Sequence, residues 1–270
     1  MDDGFESQIV TLDQRLAETE KHAKSLLGRV RAMRTKTNVG EFAQIAGLFE
    51  PVPRQIEQLE ASVQAARDAF TYDSAQALAD GSYLAELRAE AAAHDLVLTE
   101  RDGRLTAFPL LLKLDAKAGG IRIGRRLERR LRPAVVVRLL RKAQATNRFD
   151  APRFLQQLFD AYAYLAPAAQ SGWRADHHGT GPVVALNDIH TLLTVLPAAA
   201  ADYPREEFAC DLLRLDRAPD TLTSTGHRFG LPASTGSKGR NRLTVYDETG
   251  AERVFVGIQF SRGDAGADRP

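Results

Sequence analysis

The residues most able to do chemistry are cations, and they are crowded. Residues 113–148 carry twelve Lys and Arg side chains against only Asp115 and Glu128, a net of +10. Polyphosphate is the ligand class such a segment suits, because arginine offers a planar fork for two phosphate oxygens and binding releases condensed counterions. On a helical wheel of residues 125–132, Leu127 and Leu131 fall on one side, while Arg125, Arg126, Arg129, Arg130 and Arg132 fan over the other. Residues 134–146 repeat the pattern, with Val136, Leu139, Leu140 and Ala143 inward and Arg138, Arg141 and Lys142 outward. With Arg122 just upstream, the spacing predicts two consecutive helices whose arginine faces track a nucleic-acid backbone, duplex DNA first. A dock for an acidic protein surface, or a plain solvated face, would use the same residues.

A second basic stretch is the loop PASTGSKGRNR, residues 232–242, which contains Lys238, Arg240 and Arg242 and no acid. Backbone amides in such a loop can cradle phosphate. It is not a nucleotide-hydrolysing P-loop, which needs four residues between its glycines and then Gly-Lys-Ser/Thr. Here five residues separate Gly230 from Gly236, and Ser237 precedes Lys238. The triplet Asp176-His177-His178 spells the DHH signature of a phosphoesterase family. In that family it follows a hydrophobic strand and works with Asp-rich motifs. Here it follows Trp173-Arg174-Ala175 in a Gly-rich stretch without such partners, so it is read as linker.

Other catalytic layouts fail together. His22, His94, His190 and His227 are scattered and lack ligand spacing. Cys210 is the single cysteine, which excludes an internal disulfide and a cysteine zinc cluster. It sits near Phe208 and Leu212 in a predicted helix, as a small core residue would. No Gly-x-Ser-x-Gly elbow appears. No metal, no cofactor and no catalytic activity are expected, with an unrecognised nuclease site as one alternative.

The elements that would position these residues differ along the chain. Phe5, Ile9, Leu12, Leu16, Thr19, Ala23, Leu26, Val30 and Met33 make a heptad seam of about four repeats. A short helix over 41–49 precedes Pro51 and Pro53. A second periodic run, Ile56, Leu59, Val63, Ala66 and Phe70, is placed antiparallel on the first. Ser74 and Ser82 are read as N-caps of further helices. After Asp95 an Asp-Gly hairpin and a Gly-Gly turn predict a small β-meander through residue 123. Three helices follow, over 125–132, 134–146 and from about 152. Beyond the linker, 186–196 and 204–215 read as helices, 227–231 as a strand, and 243–246 with 253–260 as a hairpin.

The fold expected is α+β and mostly helical. Its parts are a coiled-coil helical region (1–95), a β-meander with basic helices (96–166), a linker (167–182), a unit of 183–262, and a disordered tail (263–270). Helices followed by a terminal hairpin make the 183–262 unit resemble a winged helix. The helix over 204–215 would then be the one nearest a groove, yet Glu206, Glu207 and Asp211 outweigh Arg205 and Arg214 there.

The 270 residues are 44% hydrophobic and 26% charged, ordinary for a globular chain and unlike a disordered one. The net charge of +1 conceals −6 over residues 1–112 and −3 over 149–270. Arginine outnumbers lysine 29 to 7, in keeping with a GC-rich bacterial genome. The opening MDDGFESQ is acidic, no apolar run approaches a membrane span, and a cytoplasmic location is expected. The function expected is a non-catalytic DNA-binding subunit of a bacterial assembly, in genome maintenance or anti-phage defence by analogy. The helices of residues 5–70 would dock on a partner or a second copy; a pure protein adaptor is the other alternative. The double variant His177→Ala/His178→Ala is expected to bind Mn²⁺ and Zn²⁺ no differently from wild type, which equilibrium dialysis checks.

Overall fold

The computed structural model describes residues 4–101, 103–166, 180–195, 203–219, 222–232 and 242–262. The chain is α+β and divides into two compact units. One comprises residues up to Leu87 with Ala116–Gly119; the other comprises Arg88–Asp115 and residues from Gly120 onward. Most of the 167–182 linker and all of the 263–270 tail lie outside the described residues. Among the described residues no helix is long and apolar enough to cross a membrane.

The first unit holds α1 (Phe5–Asn38), α2 (Phe42–Phe49), α3 (Val52–Asp68), α4 (Ser74–Asp80) and the start of α5 (Ser82–Ala93). Gly40, at φ +75°, lets the chain reverse after α1. The helices α1 and α3 pack antiparallel: Arg29 Nε donates to Gln55 Oε1 at 2.9 Å, and Gln55 Nε2 to Ser25 Oγ at 3.1 Å. At the other end Thr71 donates to Gln8 Oε1 at 3.2 Å. The expected seam is half right. Leu12, Thr19, Leu26, Met33 and Leu59 are half-buried and Ala66 is buried, but Leu16, Ala23, Val30, Ile56, Val63 and Phe70 are exposed. The contacting arc is rotated away from the apolar one, because Arg29, Gln55 and Ser25 join the two helices through hydrogen bonds. Phe5 anchors the foot of α1, stacking edge-on against Tyr72 at 4.9 Å while its N–H donates to Glu86. Two caps are corrected. Asp73, not Ser74, caps α4 by accepting from the N–H groups of Ala75 and Gln76, and the Ser82 N–H is held by Asp80. The aspartate one residue earlier leaves its side chain free to reach N2 and N3.

The second unit begins with a five-stranded antiparallel meander in sequence order: β1 (Thr99–Arg101), β2 (Arg104–Ala107), β3 (Leu110–Asp115), β4 (Gly120–Ile123) and β5 (Arg126–Glu128). β5 overturns the helix expected over 125–132. Gly124, at φ +57°, and Arg125 form a two-residue turn that sets Ile123 opposite Arg126 and Ile121 opposite Glu128. Gly120 admits this pairing, since a Cβ there would stand 2.5 Å from the Glu128 carbonyl oxygen. Pro133 then opens α6 (Pro133–Thr146), which buries Val136, Val137 and Leu140 and lies against β3.

The largest core lies C-terminal to this layer. Asp150 caps α7 (Ala151–Leu165) by accepting from the Arg153 N–H, and Phe154, Leu155, Leu158, Phe159 and Tyr162 repeat at helical period on its buried face. β6 (Val184–Ala185), α8 (Leu186–Leu193), α9 (Arg205–Asp216), β7 (His227–Gly230), β8 (Leu243–Tyr246), β9 (Glu252–Phe255) and β10 (Gly257–Arg262) follow. The strand expected over 253–260 is broken at Val256. β9 pairs with β8 in a separate hairpin, while β10 sits centrally in a sheet of order β6-β10-β7. Gly257 makes the switch possible, because a Cβ there would meet Val183 at 2.5 Å.

Between β8 and β9, Asp247 is almost fully buried and accepts from Thr249 (hydroxyl and N–H) and from the Ala251 N–H, while Arg217 reaches it at 2.9 Å. The Thr249 hydroxyl above all, then the backbone donors and the Arg217 charge, hold the Asp247 carboxyl down to about 2. A depressed carboxylate contributes stability above its unfolded pKa and loses it as pH falls through the folded value. Asp247→Asn is therefore expected to be less stable than wild type at neutral pH. Its urea midpoint should vary less than that of wild type between about pH 4 and about pH 2.

Candidate nucleic-acid interface

The strand register gathers cations that are far apart in sequence. Arg101 stands opposite Arg104 across β1 and β2, and Lys113 stands opposite Arg122 across β3 and β4. The β2–β3 register, continued one step from Leu105 opposite Leu112, sets Arg104 beside Lys113. Opposed residues share a face, so Arg101, Arg104, Lys113 and Arg122 form one row across four strands, and all four are exposed. Leu105, Ala107, Leu112 and Ile121 alternate onto the other face and are buried.

At one end this row enters a cleft of about 400 Å³. Arg101, Arg104 and Thr106 form one wall; Arg205 and Glu206 of α9, with Arg242 and β8, form the other. Three carboxylates partly offset these cations. Arg104 pairs with Glu206, Arg101 approaches Glu252 at 3.9 Å, and Arg122 Nε donates to Asp115 at 2.9 Å. Lys113 has no ion-pair partner among the described residues. Arg205 donates to Asn187 Oδ1 at 2.7 Å and leans toward the Arg242 carbonyl. Like charges placed directly opposite destabilise a sheet, so a row of this kind carries a standing cost that an anion would relieve.

The sequence-predicted residues are dispersed by this geometry. Arg122 and Arg242 belong to the row and cleft. Arg125 occupies the β4–β5 turn, and Arg126 points to the opposite face from Arg122, since it pairs with Ile123. Arg129 and Arg132 follow β5 as exposed, non-helical residues, and Arg132 occupies the N-cap position of α6. Arg130 folds back on Glu128, whose carboxylate accepts from its N–H, Nε and Nη2 at 2.6–2.9 Å. Those bonds hold the Glu128 carboxyl down to about 2. The expectation that Arg125, Arg126, Arg129 and Arg130 share one helical face is thus overturned, because a strand alternates sides at every residue.

Arg138, Arg141 and Lys142 are exposed on α6 as expected. They face away from the sheet, because α6 covers its inner side. Two cationic surfaces result, on opposite sides of the meander–α6 layer. Lys238, Arg240, His177 and His178 lie outside the described residues. Arg101, Arg104, Lys113 and Arg205 were missed from sequence: the pairing register aligns the first three with Arg122, and α9 carries Arg205 to the cleft. Among the described residues no group of three or more His, Cys, Asp or Glu side chains is placed to hold a metal ion.

No family model matches the chain, and neither a curated protein nor a solved structure matches it.

Cys210 sits at the base of the cleft and is 2% exposed. Burial first, then the Asp211 and Glu207 charges, pushes its thiol up to about 12. A nucleophilic cysteine needs the opposite shift. Native protein is expected to resist iodoacetamide at mildly alkaline pH and to be labelled once denatured, as mass spectrometry of the intact chain reads.

Proposed function

We propose that the chain is a non-catalytic nucleic-acid-binding protein that holds the sugar-phosphate backbone, of duplex DNA in the first place, along the Arg101–Arg104–Lys113–Arg122 row and into the adjoining cleft. The observation that carries this reading is the continuity of the row with Arg205 and Arg242. Neighbouring strands are about 4.8 Å apart, so four strands spread the row over roughly 14 Å, enough for two or three successive phosphates of one strand.

The order of the C-terminal elements bears on how the backbone is read. From α7 they run helix, strand, helix, helix, strand, and β10 closes the sheet between β6 and β7. This order favours a winged-helix relationship, in which β7 and β10 are the paired strands of the sheet and α9 takes the place of the groove-reading helix. The first turn of α9 is acidic and its length is enclosed. Base reading by α9 is therefore not part of the proposal: contact is with phosphates, and sequence preference is weak.

Titration of labelled duplex at several salt concentrations tests this. Contact with about five phosphates gives a log–log slope of roughly −4 to −5. Lys113→Ala with Arg122→Ala is expected to flatten that slope by about 2, with the far-ultraviolet circular dichroism unchanged. Arg138→Ala/Arg141→Ala/Lys142→Ala is expected to keep it. Flattening by the α6 triple variant alone would move the interface to the other side of the layer. Absence of any salt-dependent binding would overturn the reading in favour of a protein adaptor.

A further inference from the structure

We propose that the open side of the α1–α3 pair is a self-association surface, on which a second copy of this chain docks with its α1 antiparallel to the first. The proposal rests on the first unit alone and is independent of the nucleic-acid reading.

The apolar surface follows from helix geometry. On α1, the seven-residue rows Leu12–Thr19–Leu26–Met33 and His22–Arg29–Lys36 are half-buried toward α3. The next row round the helix is Leu16–Ala23–Val30, and it is exposed. On α3, Val52–Leu59–Ala66 and Gln55–Ser62–Ala69 are buried or half-buried, and the next row round, in the same rotational sense, is Ile56–Val63–Phe70, again exposed. Equal rotations on two antiparallel helices that face each other bring both rows to the same side of the pair. The large side chains of the two rows are 39% (Val30) to 67% (Phe70) exposed. At the foot of the groove Phe5, Ile9, Leu12, Phe70 and Tyr72 line an apolar pocket of about 120 Å³, shaped to take a side chain. None of the 34 residues of α1 is buried, whereas a stable helical bundle needs a filled core.

The charges identify the occupant. Between residues 5 and 20, α1 carries Glu6, Asp13, Glu18 and Glu20 against Arg15; between 21 and 38 it carries Lys21, Lys24, Arg29, Arg31, Arg34 and Lys36 and no acid. The row bordering the groove repeats this polarity: Glu6, Asp13 and Glu20, then Leu27 and Arg34. A second α1 laid antiparallel places each acidic half over a basic half. A parallel one stacks like on like. The two-fold axis then crosses α1 near Ala23, just past the charge boundary, so that Leu16 of one copy faces Val30 of the other, the interface is isologous, and two hairpins complete a four-helix bundle.

Sedimentation equilibrium of the full chain is expected to show a dimer of twice the 29.6 kDa chain mass. Val30→Glu and Val63→Glu, exposed in the single chain and so compatible with its fold, are each expected to weaken the dimer roughly tenfold or more, because association would bury an unpaired charge. Orientation is read with introduced thiols, for which sealed Cys210 does not compete. When chains carrying Leu16→Cys are mixed with chains carrying Val30→Cys under mild oxidation, the mixed disulfide is expected to exceed either homodisulfide. A monomer at the highest attainable concentration, a dimer indifferent to both glutamates, or a dominant Leu16→Cys homodisulfide would each overturn the proposal.

Discussion

Between Glu206 and Leu215 every side chain of α9 is buried or half-buried, and α7, β3 and β8 each lie against it. Arg214 ties one flank to the α6–α7 connection, donating to the Asn147 carbonyl at 3.0 Å and lying over the Phe149 ring at 4.5 Å. Arg217 ties the other end to Asp247 and Glu248 and stands over Phe108. The β8–β9 hairpin and the outer side of the meander are therefore organised about one helix, and the cleft is the space its N-terminus leaves between them. With Phe208, Leu212, Leu213 and Leu215 all inward, α9 is a core element. Its acids serve this internal frame: Glu206 pairs with Arg104, and Asp211 accepts from the Tyr203 hydroxyl at 2.8 Å.

Much of the architecture was legible from spacing. Gly103, at φ +73°, marks the β1–β2 turn, Pro133 the start of α6, and the Phe154–Tyr162 periodicity the buried face of α7, each because one residue type answers to one local demand. The region 125–132 was not. Leu127 and Leu131 are four apart, as on a helix, but the decision lay with Gly120 and Gly124, which permit close pairing and a tight turn and so favour a strand. The break at Val256 was hidden for a related reason: residues 252–262 alternate as one strand, and only the competing partners β8 and β6 divide them.

The candidate site was less legible than the fold. Composition located a basic region, but composition has no direction. It counted Arg130, which is occupied by Glu128, equally with Lys113, which has no ion-pair partner among the described residues. It also merged the α6 cations with the sheet cations, though the layer separates them. Arg101, Arg104 and Arg205 lie in segments whose overall charge is negative, so a window average masks them.

The row from Arg101 to Arg122 crosses the strands instead of running along one. Its members are aligned solely by hydrogen-bond register, and in a pleated sheet a slip of one residue carries every side chain to the other face. Inserting or deleting a single residue in the β2–β3 or β3–β4 turn would therefore send part of the row inward and bring leucines out. Along these strands packing and surface charge are inherited together: point substitutions can tune the row one cation at a time, whereas changes of loop length abolish the core and the charged face in the same step.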